Sequence, residues 1–431
     1  MSQPHGDTIY ALSSGNPPAA IAVVRVSGPM ADEAVRMLAG RLPEPRRASL
    51  ATLRHPALGD LLDNALVIRF PGPDSATGED LVEFHLHGGR SVVAAVLEAL
   101  TAVAGLRPAL PGEFTRRAFE NGRIDLAEAE GLADLLMAET DSQRRAALAL
   151  AGGALSRQVE QWQQRLLALA AQVEAALDFA DEGDVEEEVS LADSPFLRAL
   201  VDELAETLSR PGTERLRDGV RVVIAGPPNA GKSSLLNALA GRQAAITSPI
   251  AGTTRDRVEA PTAIGGSPFL LVDTAGLRES GDEIETIGVG LAKESLADAD
   301  LILWLGDPGE RPDGERTIVV AAKSDLRDQA DVSADISVSA ETGAGMGKLV
   351  ALLTERSRAL LPREGEVAIN ARHRALVAEC LTALREAATA HDLIIASEAL
   401  RHARGALDRI TGRAGVEDML DALFGQFCIG K

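Results

Sequence analysis

The segment Gly226-Pro-Pro-Asn-Ala-Gly-Lys-Ser233 constrains the fold of this chain more than any other feature. It follows Arg221–Ala225, an apolar run that predicts a buried strand, and it leads into Ser233–Ala240, which predicts a helix. In this context the glycines let backbone N–H groups surround phosphate oxygens, the lysine reaches the β- and γ-phosphates, and the serine hydroxyl binds Mg²⁺. The motif therefore predicts an α/β nucleotide-binding domain of the P-loop type.

Downstream motifs indicate which nucleotide is bound. Leu270–Val272 predicts a strand that leads into Asp273-Thr-Ala-Gly276, and Thr317–Ala321 predicts another that leads into Lys323-Ser-Asp325. Asp325 can accept two hydrogen bonds from a guanine edge, which adenine cannot offer, so we predict a GTPase domain. Its predicted GTP-binding residues are Asn229, Ala230, Gly231, Lys232, Ser233, Ser234, Ser248, Pro249, Ile250, Ala251, Gly252, Thr253, Thr254, Asp273, Thr274, Ala275, Gly276, Lys323, Asp325, Ser339 and Ala340. Ser233 and Thr254 are the predicted Mg²⁺ ligands.

The sequence of this region differs from that of common GTPases at three places. Ala322 stands where an asparagine is usual, and the loss of one neutral hydrogen bond costs about 1 kcal/mol of guanine affinity. Residues 306–316 are too few for an ordinary parallel crossover, so we predict that its helix is missing or vestigial. Leu277 replaces the glutamine that orients water in Ras-like proteins, so another residue must do so.

The remaining sequence predicts an α/β domain inserted into a helical one. Strands are predicted at Ile21–Val26, Leu66–Phe70 and Leu81–Leu86, and a helix at Ser91–Val103. Apolar residues from Val159 onward recur every three or four positions, as on one helix face. The predicted domains are an N-terminal domain (1–118), the first helical part (119–216), the GTPase domain (217–360) and the second helical part (361–431).

Composition limits the partners and the compartment. The 43 Lys and Arg residues face 64 Asp and Glu residues, and the net charge of −21 excludes a broad basic face for nucleic acid but leaves a small, local RNA contact open. Cys380 and Cys428 cannot form a disulfide framework. The first ten residues do not resemble a signal peptide, and no stretch reaches the ~18 apolar residues of a membrane span. We therefore expect a cytoplasmic protein.

Five segments carry a resemblance to a known family. The motif at 226–237, Ile-Ala-Gly-Thr-Thr-Arg-Asp at 250–256 and Asp-Thr-Ala-Gly-Leu-Arg at 273–278 resemble the MnmE/TrmE family of tRNA-modification GTPases. Pro111–Leu126 is similar to that family's signature between its first two domains, and Phe427–Lys431 resembles its C-terminal tag. The resemblance covers essentially the whole chain, with folate binding assigned to the N-terminal domain.

The family's activity is what the resemblance implies. Its members form homodimers through the first domain and work in a heterotetramer with an FAD-containing partner, MnmG (GidA). Together they add a carboxymethylaminomethyl-type group to position 5 of the wobble uridine of certain tRNAs. The one-carbon unit comes from 5,10-methylene- or 5-formyl-tetrahydrofolate. The FAD would be on the partner and not on this chain.

The resemblance also implies roles for individual residues. The implied folate contacts are Arg25, Glu83, Arg123 and Lys431, and the implied K⁺ ligands are Asn229, Ser248, Ile250 and Thr253. Potassium would replace an arginine finger, and Glu285 would orient the attacking water. Cys428 is either a thiol beside the folate or a small apolar residue that closes a helix end.

Two other functions are compatible with parts of the sequence. The chain could be a ribosome-assembly or regulatory GTPase switch without modification chemistry, although such proteins usually carry a basic RNA-binding module. A folate-dependent aminomethyl transferase of metabolism is opposed by the GTPase insert. His85 and His87 share one strand face, and we interpret them as packed or hydrogen-bonded side chains because no third metal ligand is near.

Overall fold

A computed structural model of the chain describes residues 6–179, 191, 194–242, 259–273, 294–312, 314–326, 333–363, 365–414, 417–425 and 427–430. The chain divides into two compact units. The first contains residues 1–133 together with residues 411–431, and the second contains residues 134–410. The end of the chain therefore folds with its beginning.

The first unit is built on a six-stranded sheet. Its strands are β1 Thr8–Leu12, β2 Ile21–Ser27, β3 Ser49–Arg54, β4 Leu61–Phe70, β5 Leu81–His87 and β6 Leu106–Pro108. Their order is β3-β4-β5-β2-β1-β6, and β1 and β6 pair in parallel while the other neighbours are antiparallel. The three strands predicted in this region are confirmed, and β4 begins five residues before its predicted start.

Two helices, α1 Ala31–Ala39 and α2 Arg90–Thr101, cover one face of this sheet. Side chains of β4 alternate accordingly: Ala65 and Val67 are buried, whereas Leu66 between them is exposed. The unit also contains α3 Glu113–Glu120, α4 Leu126–Met137, which continues into the second unit, and α13 Glu417–Phe424.

The second unit contains a six-stranded, mostly parallel sheet. Its strands are β7 Val220–Ala225, β8 Glu259–Ile264, β9 Ser267–Asp273, β10 Leu301–Trp304, β11 Thr317–Ala321 and β12 Ile336–Ser337. The order is β12-β11-β10-β7-β9-β8, with β8 alone antiparallel to its neighbour. Helices α9 Lys232–Arg242 and α10 Met346–Ser357 pack their leucines into one core with β7. The predicted fold class, α/β and α segments with an inserted P-loop domain, is confirmed.

Helices before and after this sheet pack on each other, as predicted. They are α5 Asp141–Ala151, α6 Ala154–Phe179, α7 Pro195–Ser209, α8 Glu214–Asp218, α11 Ala371–Thr389 and α12 Leu393–Thr411. Gln163 donates to Asp408 at 2.7 Å, and the Arg374 guanidinium donates to the carbonyls of Leu208 and Arg210. Within the described ranges, no helix is long and apolar enough to cross a membrane.

The missing crossover helix is confirmed. The β10 and β11 strands pair in parallel, and the described part of residues 306–316 contains only a 3₁₀ turn at Pro308–Glu310. Trp304 at the end of β10 packs beside Val223, Ala225 and Val272 of the sheet, and its Nε1 donates to the Asp307 carbonyl at 2.8 Å. The indole thus fills part of the sheet face next to the shortened connection.

Truncation of this indole should therefore destabilise the GTPase region. We expect Trp304→Ala to lower the free energy of unfolding by about 2–3 kcal/mol, since a half-buried ring is lost and a cavity remains. Urea unfolding followed by circular dichroism measures the change. Trp304→Phe is the matched control, because it keeps a ring but removes the N–H donor, and it should cost less than half as much. Equal unfolding midpoints for the alanine variant and the wild type would contradict this role.

Candidate functional site

The loop between β7 and α9 has a backbone that suits phosphate binding. Gly226 has φ +146°, and a Cβ there would lie 3.1 Å from the Leu305 carbonyl carbon. Gly231 has φ +100°, a value that side chains rarely allow. Asn229 is also left-handed, with φ +59°. The residue types of the motif therefore permit the tight turn that a phosphate-binding loop before a helix requires.

Three polar side chains lie at or next to this loop. The Lys232 ammonium is 2.8 Å from the Pro227 carbonyl and 3.1 Å from the Gly226 carbonyl, and only 7% of the residue is exposed. Ser233 Oγ donates to Asp273 Oδ2 at 2.6 Å, and Asp273 is 2% exposed. A hydroxyl and a buried carboxylate side by side are hard oxygen groups of the kind that Mg²⁺ prefers. The pair fits a magnesium site in which Ser233 would be a ligand and Asp273 would hold the Ser233 hydroxyl in place.

The predicted guanine segment reaches the same loop. Lys323 has φ +56°, and its ammonium donates to the Asn229 carbonyl at 2.7 Å. The Ala322 methyl group belongs to the sheet core, which explains how an apolar residue fits where an asparagine is usual. Asp325 is exposed. It lies near the Ser339 loop, because the neighbouring Ser324 N–H donates to the Val338 carbonyl at 3.1 Å. The structure thus brings Lys323, Asp325 and Ser339 to one end of the sheet.

In the first unit, two of the predicted folate residues form an ion pair. Arg25 and Glu83 lie directly opposite each other on β2 and β5. Arg25 Nη2 and Nε donate to Glu83 Oε1 at 2.8 and 3.2 Å. The guanidinium also lies 5.8 Å from the Phe114 ring centroid. Both side chains are half-buried, so a bound molecule could reach the pair.

The loop before β5 contacts both β2, which carries Arg25, and the segment that carries Arg123. Ser27, two residues after Arg25, shares a hydrogen bond of 2.6 Å with Thr77, whose carbonyl accepts from Asn121 Nδ2 at 2.7 Å. A Cβ on Gly78 would lie 2.8 Å from the Asn121 Cβ and 3.2 Å from the Arg123 Cγ. The loop before β5 therefore packs closely against the segment that carries Arg123.

The segment 424–430 packs onto the N-terminal residues. Ile429 forms an antiparallel bridge with Pro111, and the Phe424 ring lies 6.2 Å from Phe119. Gly430, with φ +98°, is in such close contact with the Leu12 carbonyl that a side chain there would clash. Since Leu12 pairs with Val24, this segment ends beside the strand that carries Arg25.

Comparison with known proteins identifies the family. A family model described as the MnmE helical domain matches residues 126–428, and one described as the GTP-binding protein TrmE N-terminus matches residues 8–123. Proteins named tRNA modification GTPase MnmE from Rhizorhabdus wittichii and Erythrobacter litoralis are 59% and 58% identical to this chain. The matches cover 99% of this chain in both cases, and 97% and 100% of the two relatives. The chain belongs to the MnmE family of tRNA modification GTPases. A third MnmE, from Zymomonas mobilis, is 51% identical over 98% of this chain and 100% of its own length.

Several of the predicted site residues lie outside the described residues. They are Ser248, Pro249, Ile250, Ala251, Gly252, Thr253, Thr254, Thr274, Ala275, Gly276, Glu285 and Lys431. The described remainder of the predicted GTP site lies at the ends of β7, β11 and β12, and consists of residues 229–234 together with Lys323, Asp325, Ser339 and Ala340. Asp273 ends the neighbouring strand β9.

Sequence reasoning missed a buried arginine in the MnmE signature segment. Arg117 is 1% exposed and donates to Asp7, Glu79 and Glu113 at 2.9–3.1 Å. Burial disfavours ionisation of Glu113, yet hydrogen bonds from Arg107, from the Leu110 N–H and from Arg117 hold its pKa below the ordinary value. The cluster joins α3 to the residue before β1 and to the loop before β5. The two consecutive arginines in Pro111–Leu126 were a signal that could have been followed.

The two histidines are hydrogen-bonded, as interpreted from sequence. His87 Nδ1 lies 2.7 Å from Asp63 Oδ1, and His85 Nε2 lies 3.3 Å from Glu83 Oε2. Each imidazole has its own carboxylate. Among the described residues, no group of three or more His, Cys, Asp or Glu side chains could hold a metal ion.

The two cysteines should differ sharply in reactivity. Burial, together with the negative charge of Glu379, raises the pKa of Cys380 to about 12, whereas Cys428 is exposed. At pH 8 only about 1 in 10⁴ Cys380 thiols would be ionised. We expect a thiol-specific chromogenic reagent to label one cysteine per native chain and two per unfolded chain. Cys428→Ser should abolish native labelling, and rapid labelling of that variant would contradict this assignment.

Proposed function

We propose that this GTPase couples GTP hydrolysis to modification of the wobble uridine of tRNA at position 5, together with an FAD-containing partner of the MnmG type. The observation that carries the proposal is the phosphate loop with its buried Lys232 and its Ser233–Asp273 hydrogen bond, in a chain that matches MnmE proteins over 99% of its length. The added group would be of the carboxymethylaminomethyl type. Protein and partner would form a heterotetramer in the cytoplasm, built on a homodimer of this chain.

The N-terminal domain would bind 5,10-methylene- or 5-formyl-tetrahydrofolate, and this folate would donate the one-carbon group. Glu83 can accept hydrogen bonds from the N–H groups of a pteridine edge, while Arg25 on the neighbouring strand holds that carboxylate in place. Arg123 is partly exposed and can pair with a carboxylate of the folate tail. Lys431 and Cys428 would belong to the same site, because segment 424–430 packs beside β1.

Metal ions would complete the nucleotide site. Ser233 and Thr254 would bind Mg²⁺, which neutralises phosphate charge when it is bound. Asn229, Ser248, Ile250 and Thr253 would hold K⁺, and Glu285 would orient the attacking water. Support from the described residues is the left-handed Asn229, whose carbonyl is held by Lys323. The four-part division at residues 118, 216 and 360 remains our proposal for the domains.

A folate titration separates this function from that of a regulatory GTPase switch. We expect 5-formyl-tetrahydrofolate to bind the full-length chain in a calorimetric titration. Glu83→Gln should weaken binding about tenfold, because it removes one charge-assisted hydrogen bond of about 1.5 kcal/mol. Glu44→Gln, an equal change at an exposed position of the same unit, is the matched control. Absence of folate binding by the wild-type chain would favour the switch.

A further inference from the structure

A short arginine-rich stretch departs from the acidic character of the chain. Residues 41–54 contain four arginines, at positions 41, 46, 47 and 54, against the single acid Glu44. The stretch therefore carries a net charge of +3 in a chain whose total is −21. It forms the loop after α1 and all of β3, which is an edge strand of the N-terminal sheet. The nucleotide and folate sites do not use these residues.

Three of these arginines keep their positive charge uncompensated. Arg41 Nη2 donates to the Leu50 carbonyl at 3.1 Å, Arg54 Nη1 donates to the Gly59 carbonyl at 3.0 Å, and Arg46 donates to a backbone carbonyl of the loop before β5. Within the part of the chain that the structure describes, no carboxylate forms an ion pair with any of the three. All three are exposed. Each carbonyl fixes one N–H group of a guanidinium and leaves the others for a ligand.

Arg46 is held in a conformation that arginine seldom adopts. Its φ is +58°, which costs an ordinary residue about 1–2 kcal/mol. The loop is held there because the Arg46 N–H donates to the Arg69 carbonyl at 2.7 Å, and Pro45 bridges to the same residue. The guanidinium lies 5.9 Å from the Phe70 ring centroid. Its direction is therefore set before any ligand arrives, which reduces the entropy lost on binding.

The contacts of the three arginines are distributed along the sheet edge formed by β3 and the end of β4. Arg41 contacts the backbone at Leu50, whose partner is Leu66, and Arg54 lies opposite Leu61. Arg54 is four residues after Leu50 in the same strand, a distance of about 13 Å in an extended chain. Arg46 lies beyond the other end of the strand, near Phe70. A sheet edge of this length is comparable with several consecutive phosphates of a nucleic acid strand.

We propose that Arg41, Arg46 and Arg54 form a contact for the phosphate backbone of tRNA. The proposal rests on the proposed function, which requires an RNA substrate, and it places the contact on the N-terminal sheet edge. Guanidinium forks match phosphate oxygens, and fixed arginines bind them with less entropy loss than mobile ones. A chain that is acidic elsewhere would repel RNA outside this edge, so the contact also restricts how tRNA can approach.

The test measures binding of a fluorescently labelled, unmodified tRNA transcript to the full-length chain by anisotropy at several KCl concentrations. We expect the triple variant Arg41→Gln, Arg46→Gln, Arg54→Gln to bind about tenfold more weakly at 0.1 M KCl. The slope of log K against log salt should fall by about 2–3, since three phosphate contacts are lost. GTP hydrolysis without tRNA should stay unchanged.

The matched control replaces Arg217, Arg401 and Arg404, which are exposed in the second unit, with glutamine. It changes net charge equally and should leave the salt slope within 0.5 of wild type. Arg54→Gln alone should lower the slope by about 0.7–0.9, which keeps the test usable if the triple variant unfolds. Equal slopes for wild type and the sheet-edge variants would overturn the proposal. So would faster aggregation with unchanged RNA affinity, because the arginines would then only protect a sheet edge.

A competition experiment distinguishes RNA from an acidic protein partner. Polyaspartate at equal charge concentration should displace little labelled tRNA from the wild-type chain, and complete displacement would overturn the assignment to RNA. Failure of the sheet-edge proposal leaves the modification chemistry standing, since analysis of tRNA nucleosides measures that chemistry independently.

Discussion

GTP hydrolysis by the wild-type chain should fall roughly 10³-fold or more when potassium is replaced by sodium at equal ionic strength. A potassium ion held by Asn229 and the other proposed ligands would supply the positive charge that an arginine finger supplies elsewhere, and so would stabilise the charge that develops in the transition state. Phosphate release at saturating GTP measures the effect. Equal rates in the two salts would contradict a potassium-dependent mechanism.

Asn229 allows this prediction to be assigned to one side chain. Its φ of +59° suits glycine, whereas alanine would be strained there by about 1–2 kcal/mol. Asn229→Gly therefore removes the amide group with little change to the loop. We expect this variant to hydrolyse GTP at the slow sodium rate in both salts. Retention of the full potassium effect in Asn229→Gly would show that the amide group is not a ligand.

Lys232→Ala should lower kcat/KM for GTP hydrolysis by roughly 10²–10³-fold, a loss comparable with removal of a preorganised donor from other active sites. The ammonium is nearly buried at the phosphate loop, where a positive charge is held next to the place that the motif assigns to the phosphates. Titration with a fluorescent GTP analogue and single-turnover hydrolysis would separate lost binding from lost catalysis.

Lys348 provides the matched control for this variant. It is an exposed lysine on α10 of the same sheet domain, and Lys348→Ala should leave hydrolysis within a factor of two of wild type. Circular dichroism verifies that both variants fold. A Lys232→Ala protein that hydrolyses GTP within threefold of the Lys348→Ala control would contradict the assignment of the phosphate loop.

Local sequence patterns were sufficient to predict the phosphate loop and the missing crossover helix. The strand, the glycines and the helix that form the loop are contiguous, and the length of 306–316 limits what that connection can contain. Val159, Trp162 and Leu166 are fully buried on one face of α6, as their spacing predicts. In these cases the interactions that determine the structure join residues that are close in the sequence.

Contacts between distant residues could not be predicted in the same way. Arg117 pairs with Asp7, which is 110 residues earlier, and Lys323 reaches the Asn229 carbonyl across 94 residues. Such pairs depend on how whole elements pack, and one sequence carries no pattern that fixes them. The bridge between Ile429 and Pro111 is another contact between distant residues. The resemblance to the family marked both segments as signatures but did not indicate that they touch.

Nucleoside analysis of bulk tRNA from cells that lack this protein tests the central claim most directly. We predict that the carboxymethylaminomethyl-type group at position 5 of the wobble uridine disappears. A plasmid copy of the wild-type chain should restore it, and the Lys232→Ala chain should not. An unchanged amount of the modified uridine in the deletion strain would contradict the account.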